Sequence, residues 1–277
     1  MNLIKTDVSA CPVPSLNAPG VEVWRDADGT LSAVGYRRGP DHGLHVPGVG
    51  TFFFHAASDA VVLVPDCSAS DALIDDAFHR IALPLAVQLR GPQVLHASAV
   101  LLNGGVVALC GRSGAGKSTL AYALSRRGHT LWGDDAVAFE VGADAIEVRP
   151  LPFRMRLRRA SAEWFDAPAL QKGTEQSSGW LSGFAARPFR AVVILDRGAD
   201  TDGDEVHPVR LAPADALHAL LPHAYYVALD DGELNRRLVS AYLGLADVLP
   251  VITLRYTPRL ALVERMAELV EQTVAAL

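Results

Sequence analysis

Cysteine is scarce in this chain of 277 residues: Cys11, Cys67 and Cys110 are odd in number, far apart and outside any C-x-x-C spacing. That pattern excludes a disulfide framework, offers no zinc site and suits a reducing compartment. Basic residues are not in excess either. Lys and Arg number 25 against 31 Asp and Glu, a formal net charge of −6, so broad attraction to nucleic acid or to an anionic membrane is not expected. No apolar run approaches the ~20 residues of a membrane span. The opening Met1-Asn2-Leu3-Ile4-Lys5-Thr6-Asp7 has no signal-peptide core. Repeats and low-complexity tracts are missing as well. Together these absences predict a cytoplasmic protein with no nucleic-acid and no membrane partner.

What is present reads as a soluble globular α/β protein, half hydrophobic and a fifth charged. The length allows one large domain, or one with a smaller companion. Residues 20–65 alternate short β-rich runs with turns: Val21–Trp24, Leu31–Tyr36, Thr51–Phe54 and Val61–Val64 predict a small antiparallel sheet. From Ser70 to Arg90 the apolar residues recur at helical spacing, with Pro84 expected to bend the helix. Residues 1–90 are thus read as a small β-rich subdomain plus a linking helix, and 91–277 as a second domain. Stretches 171–188 and Gly198–Glu205 read as mobile loops. In the C-terminal segment, Leu260, Leu262, Val263, Met266, Leu269 and Val270 form one apolar stripe, the mark of a core-facing helix.

The sharpest signal is Gly111-Arg112-Ser113-Gly114-Ala115-Gly116-Lys117-Ser118, followed by Thr119, a complete G-x-x-x-x-G-K-[ST] phosphate loop. Its glycines let backbone N–H groups close around phosphate, Lys117 adds a point charge at the β- and γ-phosphates, and the Ser118 hydroxyl suits Mg²⁺. A chance match in a chain of this length is about one in a hundred from average residue usage. The motif also has the context it requires. Val106–Cys110 before it is an apolar strand, and Thr119–Leu124 after it has helical character.

Upstream, Asn103-Gly104 between apolar runs is a hairpin signal: as a two-residue turn it pairs Leu102 with Gly105, and a turn at Gly104-Gly105 is the alternative. The first register puts His96 opposite Gly111 and the second opposite Ser113, in either case within reach of bound phosphate, where it could donate to an oxygen or hold a catalytic carboxylate. Downstream, a helix over 117–127 leads into Thr130–Trp132 and then Gly133-Asp134-Asp135. A strand–helix–strand crossover brings both strand ends to one edge, so the two aspartates join the loop there. One would hold Mg²⁺ and the other accept a proton from an attacking hydroxyl. In an extended pair, neighbouring side chains point to opposite faces. Asp196, at the end of Ala191–Leu195, is the alternative metal ligand. The tract Phe153–Arg158 alternates apolar with basic residues. As a strand it would bury Phe153, Met155 and Leu157 and present Arg154, Arg156 and Arg158 together. Arg154, Arg156 and Lys172 are the candidate substrate-binding cations.

Over His96-Ala97-Ser98, Gly111–Thr119, Arg127-Gly128-His129 and Gly133-Asp134-Asp135 the chain resembles the HPr kinase/phosphorylase family. It is similar above all to the shorter HPr-kinase-like proteins encoded beside peptide-modification genes, lasso-peptide kinases among them. The match is strong over 94–140, looser over Pro152–Arg158, Pro188–Arg197, Leu211–Leu221 and Leu249–Tyr256, and weak before residue 60. The resemblance implies a P-loop core similar to the HPr kinase C-terminal domain and phosphoenolpyruvate carboxykinase. It also implies ATP with Mg²⁺, and transfer of phosphate to a serine of a precursor peptide or small protein. Carried onto this sequence it implies a histidine at His96, a nucleotide loop over 111–119 with Lys117, and an aspartate base in the Asp134-Asp135 pair. Asp134 is taken as the base and Asp135, with Ser118, as the metal side. The glycine-rich signature that follows the active aspartates in HPr kinases is missing, as is their N-terminal domain, so HPr, reverse phosphorolysis and a hexamer are not expected. A homo-oligomer of another kind is left open. The competing functions are a small-molecule alcohol kinase and a non-catalytic ATP-sensing module. Intact Lys117, Ser118 and both aspartates favour an enzyme.

Overall fold

The structure, a computed structural model, describes residues 1–6, 13–25, 28–38, 41–55, 57–143, 145–167, 185–198, 206–225 and 231–277. The chain divides into two compact units. One is Met1–Pro92 with Tyr225–Leu238, and the other is Gln93–Ala224 with Val239–Leu277. A single cut near residue 90 was expected from the sequence, and 225–238 is the stretch that such a cut leaves out.

The first unit is built on strands β1 (Asn2–Lys5), β2 (Glu22–Arg25), β3 (Leu31–Arg38), β4 (Asp41–Val46), β5 (Gly50–Phe54) and β6 (Ala60–Pro65), in the order β1-β6-β5-β4-β3-β2. Strands β2 to β6 form an antiparallel meander, and β1 adds to β6 in parallel. Strand β4 is not legible in the sequence. Asp41, His42, Gly43 and His45 have little intrinsic preference for extended structure, but pairing on both sides with β3 and β5 supplies what propensity does not. On one sheet face Ala33, Leu44, Phe52, Phe54, Val61 and Leu63 pack against Ile74, Phe78, Leu85 and Leu89 of the following helical stretch. That stretch is α1 (Asp71–Ala77), a π-helical turn over Phe78–Ala82, and α2 (Leu83–Leu89). Ser70 caps α1 by accepting the Leu73 N–H at 3.3 Å. Pro84 falls in the first turn of α2, where its missing N–H costs little, and the π-turn before it takes up the change of register.

The second unit carries β7 (Gln93–Leu95), β8 (Ala97–Leu102), β9 (Gly105–Gly111), α3 (Lys117–Arg126), β10 (Thr130–Gly133), β11 (Val137–Val141), β12 (Ile146–Arg149), α4 (Arg159–Trp164), β13 (Arg187–Arg197), β14 (His207–Arg210), α5 (Pro213–Leu220), part of α6 (Gly232–Val248), β15 (Val251–Tyr256) and α7 (Val263–Ala275). Its sheet runs β10-β8-β9-β13-β12-β11-β7, with β15 between β13 and β14. The hairpin is present in the first of the two expected registers, Leu102 opposite Gly105 and Ala97 opposite Cys110. Strands β13 and β15 run parallel to β9. Strand β10 is antiparallel to β8, which is antiparallel to β9. The C-terminal ends of β9, β10, β13 and β15 therefore share one edge, the place where open α/β sheets bind ligands. Beneath that edge, Leu109, Val193 and Leu254 pack with Leu120 and Leu124 of α3 and with Met266 and Val270 of α7. The C-terminal stripe thus faces the core.

Two expectations are corrected. The tract Phe153–Arg158 forms no strand. It is irregular and leads into α4, although Phe153 and Leu157 are still buried and Arg154 and Arg158 exposed. Without a ladder partner the alternation is enforced by packing alone. Of the loop expected over 171–188, Arg187 and Pro188 begin β13, and residues 171–184, Lys172 among them, lie outside the described residues. The segment Gly198–Glu205 lies largely outside them too. Among the described residues no helix is long and apolar enough to cross a membrane.

Gly50 provides a test of the first sheet. Its φ is +134°, and a Cβ there would lie 2.3 Å from the Val64 carbonyl oxygen. Gly50→Ala is expected to destabilise this unit by about 2 kcal/mol or more, read as a lower urea midpoint. An unchanged midpoint would show that β5 and β6 do not meet in this way.

Candidate active site

Strand β9 ends at Gly111, and helix α3 begins at Lys117, so the motif occupies the connection between a buried strand and a helix N-terminus. Gly114 and Gly116 have φ of +81° and +88°, conformations that a side chain rarely adopts. Gly116 is the N-cap residue of α3 and supplies no side-chain cap, which leaves first-turn amides available to an anion. Two bonds hold the loop in shape: the Ala115 N–H donates to the Arg112 carbonyl at 3.0 Å, and the Tyr256 hydroxyl, at the end of β15, donates to the Ala115 carbonyl. Lys117 is 8% exposed, and its Nζ donates to the Gly111 carbonyl at 3.0 Å. Burial lowers its pKa, while the Asp135 and Asp134 carboxylates act in the opposite sense.

The two aspartates differ sharply in surroundings. Asp134 is 6% exposed. Its Oδ1 accepts the Ser98 hydroxyl at 2.6 Å and the Ser118 hydroxyl at 2.9 Å, and its Oδ2 accepts the Arg156 N–H at 3.2 Å. Burial pushes its pKa up to about 6, the adjacent Asp135 adding to the rise and the hydrogen bonds opposing it. Asp135 is half-buried and sits at φ +67°. The pair is therefore not extended, and the strand rule of opposite faces does not apply to it. A left-handed aspartate at the mouth of an anion loop is the kind of strained residue that clusters at functional sites.

His96 follows β7, is half-buried and donates its backbone N–H to the His223 carbonyl at 2.7 Å. It adjoins the Ala97–Cys110 pair, one step from Gly111. His223 is buried, and its pKa is drawn down to about 4 by burial, with Lys117 and His96 adding to the effect. It is a neutral imidazole at physiological pH. Asp196, the alternative ligand, lies near the end of β13 and accepts from Arg255 Nε at 3.2 Å in a partly exposed pair. Among the basic residues, Arg154 is exposed and Arg156 half-buried, and the latter reaches the site through its backbone.

Two residues at this edge, Ser98 and His223, were given no role by sequence reasoning. Ser98 had a readable signal: it is a hydroxyl in an otherwise apolar strand, fully buried, and such a group must find a partner. His223 had none, because it reaches the loop by a tertiary path, whereas Arg158 was named in the basic tract without being placed at the loop. A side chain at Gly114 would begin 3.1 Å from Arg158 Nη1.

A serine hydroxyl and a carboxylate 2.9 Å apart, with a second carboxylate next in sequence, form an oxygen donor set suited to Mg²⁺. Among the described residues no cluster of three or more His, Cys, Asp or Glu forms a metal cage. Mg²⁺ needs none, since it takes one or two carboxylates plus substrate phosphates. The residues present therefore fit a Mg²⁺–nucleotide group held by the loop amides, Lys117, Ser118 and the aspartates.

No family model matches the chain, and no curated protein matches it. Among solved structures the chain is similar to the Hpr(Ser) kinase/phosphatase from Coxiella burnetii, at 14% identity, over 66% of this chain and 95% of that one, with a TM-score of 0.35. A likeness at this level assigns no role to any residue.

The raised Asp134 carboxyl makes folding stability pH-dependent. Between about pH 4 and pH 6 the folded protein retains a proton that the unfolded chain has released. Stability therefore falls as pH rises through that window, by up to about 3 kcal/mol from this group. Relative to Asp134→Asn, the wild-type protein is expected to lose unfolding free energy from pH 4 to 6.5. Parallel curves for the two proteins would refute the buried, proton-retaining carboxyl.

Proposed function

We propose that this protein is an ATP-dependent phosphotransferase that moves the γ-phosphoryl group to a hydroxyl. The observation that carries the reading is the Ser98–Asp134–Ser118 hydrogen-bond set, which fixes a buried carboxylate on the hydroxyl of the phosphate loop. Bound Mg²⁺ would neutralise charge on the β- and γ-phosphates. The acceptor hydroxyl oxygen forms a bond to the γ-phosphorus, and the bond from that phosphorus to the bridging oxygen breaks with its electrons left on ADP. The hydroxyl proton passes to a carboxylate. Lys117 and the loop amides hold the phosphates in line, work that is chiefly positioning and electrostatics. The motif resemblance favours a serine of a precursor peptide or small protein as acceptor.

Within the aspartate pair we assign Asp134 to the Ser118 and metal side and Asp135 to the proton. This reverses the order expected from sequence. Asp134 already accepts three hydrogen bonds, which leaves little room for a substrate hydroxyl. Its elevated pKa follows from burial and the adjacent Asp135.

Incubation with Mg²⁺–ATP and candidate serine peptides, read by mass spectrometry, is expected to add one phosphate. Asp135→Asn should cut transfer about 10²–10⁴-fold while sparing Mg²⁺–ATP binding, whereas Asp134→Asn should weaken both. Transfer lost with intact binding in Asp134→Asn would restore the other order. Wild-type protein that fails to bind ATP would overturn the reading.

A further inference from the structure

We infer that Arg158 is a second phosphate-binding cation of the loop, supplied within the chain to the terminal phosphate of a bound nucleoside triphosphate. The inference rests on the nucleotide site proposed above and adds what distinguishes a triphosphate from a diphosphate there.

The geometry is specific. Nη1, Nη2 and Cζ of Arg158 lie 3.1, 3.2 and 3.4 Å from the point where a Cβ on Gly114 would stand, so the guanidinium covers that stretch of the loop. A Cβ at Gly114 would be in tight contact with the guanidinium, which would have to give by a few tenths of an ångström. Its position is also held from both sides. Two residues earlier the Arg156 N–H is bonded to Asp134 Oδ2, and Leu157 is buried in the core. Three residues later the Ser161 hydroxyl is hydrogen-bonded to Thr119 of the loop helix at 2.9 Å. The chain is thus pinned to the aspartate edge and to α3, with Arg158 between the pins.

Arg158 also lacks the partner that neutralises its neighbour. Arg159 Nε pairs with Glu163 at 2.7 Å, but among the described residues no carboxylate is paired with Arg158. An exposed cation over a phosphate-loop glycine, with no paired carboxylate among the described residues, is suited to a ligand's charge. The charge balance of the edge calls for one. Lys117 faces both carboxylates, and each added phosphate increases the negative charge at the edge. Arg158 and the two aspartates all act electrostatically on Lys117, the residue that reaches the β- and γ-phosphates. Planar guanidinium donors in this position can bond a terminal phosphoryl group through two N–H groups and stabilise the charge that develops on transfer.

The test measures Mg²⁺-dependent affinity for ATP and ADP by calorimetry in the full-length wild-type protein and in Arg158→Ala, Arg158→Lys and Lys117→Ala. Arg158→Ala is expected to weaken ATP roughly 10–100-fold, as for loss of a charge-assisted bond, and ADP much less. Arg158→Lys should recover part of the loss, because the charge returns without the fork. Equal losses for both nucleotides, or none for either, would overturn the role of Arg158 while ATP binding by wild type and its loss in Lys117→Ala leave the site standing. Wild-type protein that binds neither nucleotide would remove the site and this inference together.

Discussion

A single buried carboxylate organises the second unit's ligand edge. Asp134 is the point at which β8, through Ser98, the phosphate loop, through Ser118, and the irregular tract before α4, through the Arg156 N–H, all converge. Each partner comes from a different part of the chain, and each satisfies an oxygen that would otherwise be costly to bury. The same burial raises the carboxyl's pKa to about 6. Burial of this carboxyl thus carries an electrostatic cost that its three hydrogen bonds offset in part. That coupling joins loop geometry and stability in one side chain.

The second consequence is order around the loop. The glycines that admit an anion leave the loop only Ala115 packed into the core among its residues before Lys117, so its shape depends on neighbours. Tyr256 holds the Ala115 carbonyl from the end of β15, and Lys117 closes onto Gly111. Thr119 meets Ser161, and Arg126 reaches the Phe165 carbonyl at 2.7 Å. The basic tract and α4 are therefore fastened along one side of the loop helix. A site so supported holds its donors before the ligand arrives, which is the condition under which electrostatic stabilisation is effective.

Much of this was legible in local sequence. The phosphate loop, the hairpin register, helix α3 with its C-terminal Gly128 and the C-terminal apolar stripe depend on turn chemistry and periodicity. These act over a few residues and do not need the rest of the fold. Strand β4 was hidden because its residues lack strand preference and are ordered by two neighbours. The tract Phe153–Arg158 showed a period of two and yet has no ladder, since alternation reports burial and not hydrogen bonding. Its arginines could not be ranked from spacing. Arg156 meets Asp134 through its backbone N–H and Arg158 lies against Gly114 with its guanidinium, a difference set by how the tract crosses the loop.

By itself the sequence determined that a phosphate loop would join a strand to a helix, and that two carboxylates would follow one crossover later, because glycine conformation and chain connectivity decide both. Only the tertiary structure decided which carboxylate is buried against Ser118, that Ser98 and the Arg156 amide complete its shell, and that Arg158 and His223 flank Lys117. Those outcomes depend on contacts between segments distant in sequence, where burial and the absence or presence of a counter-charge set each group's chemistry.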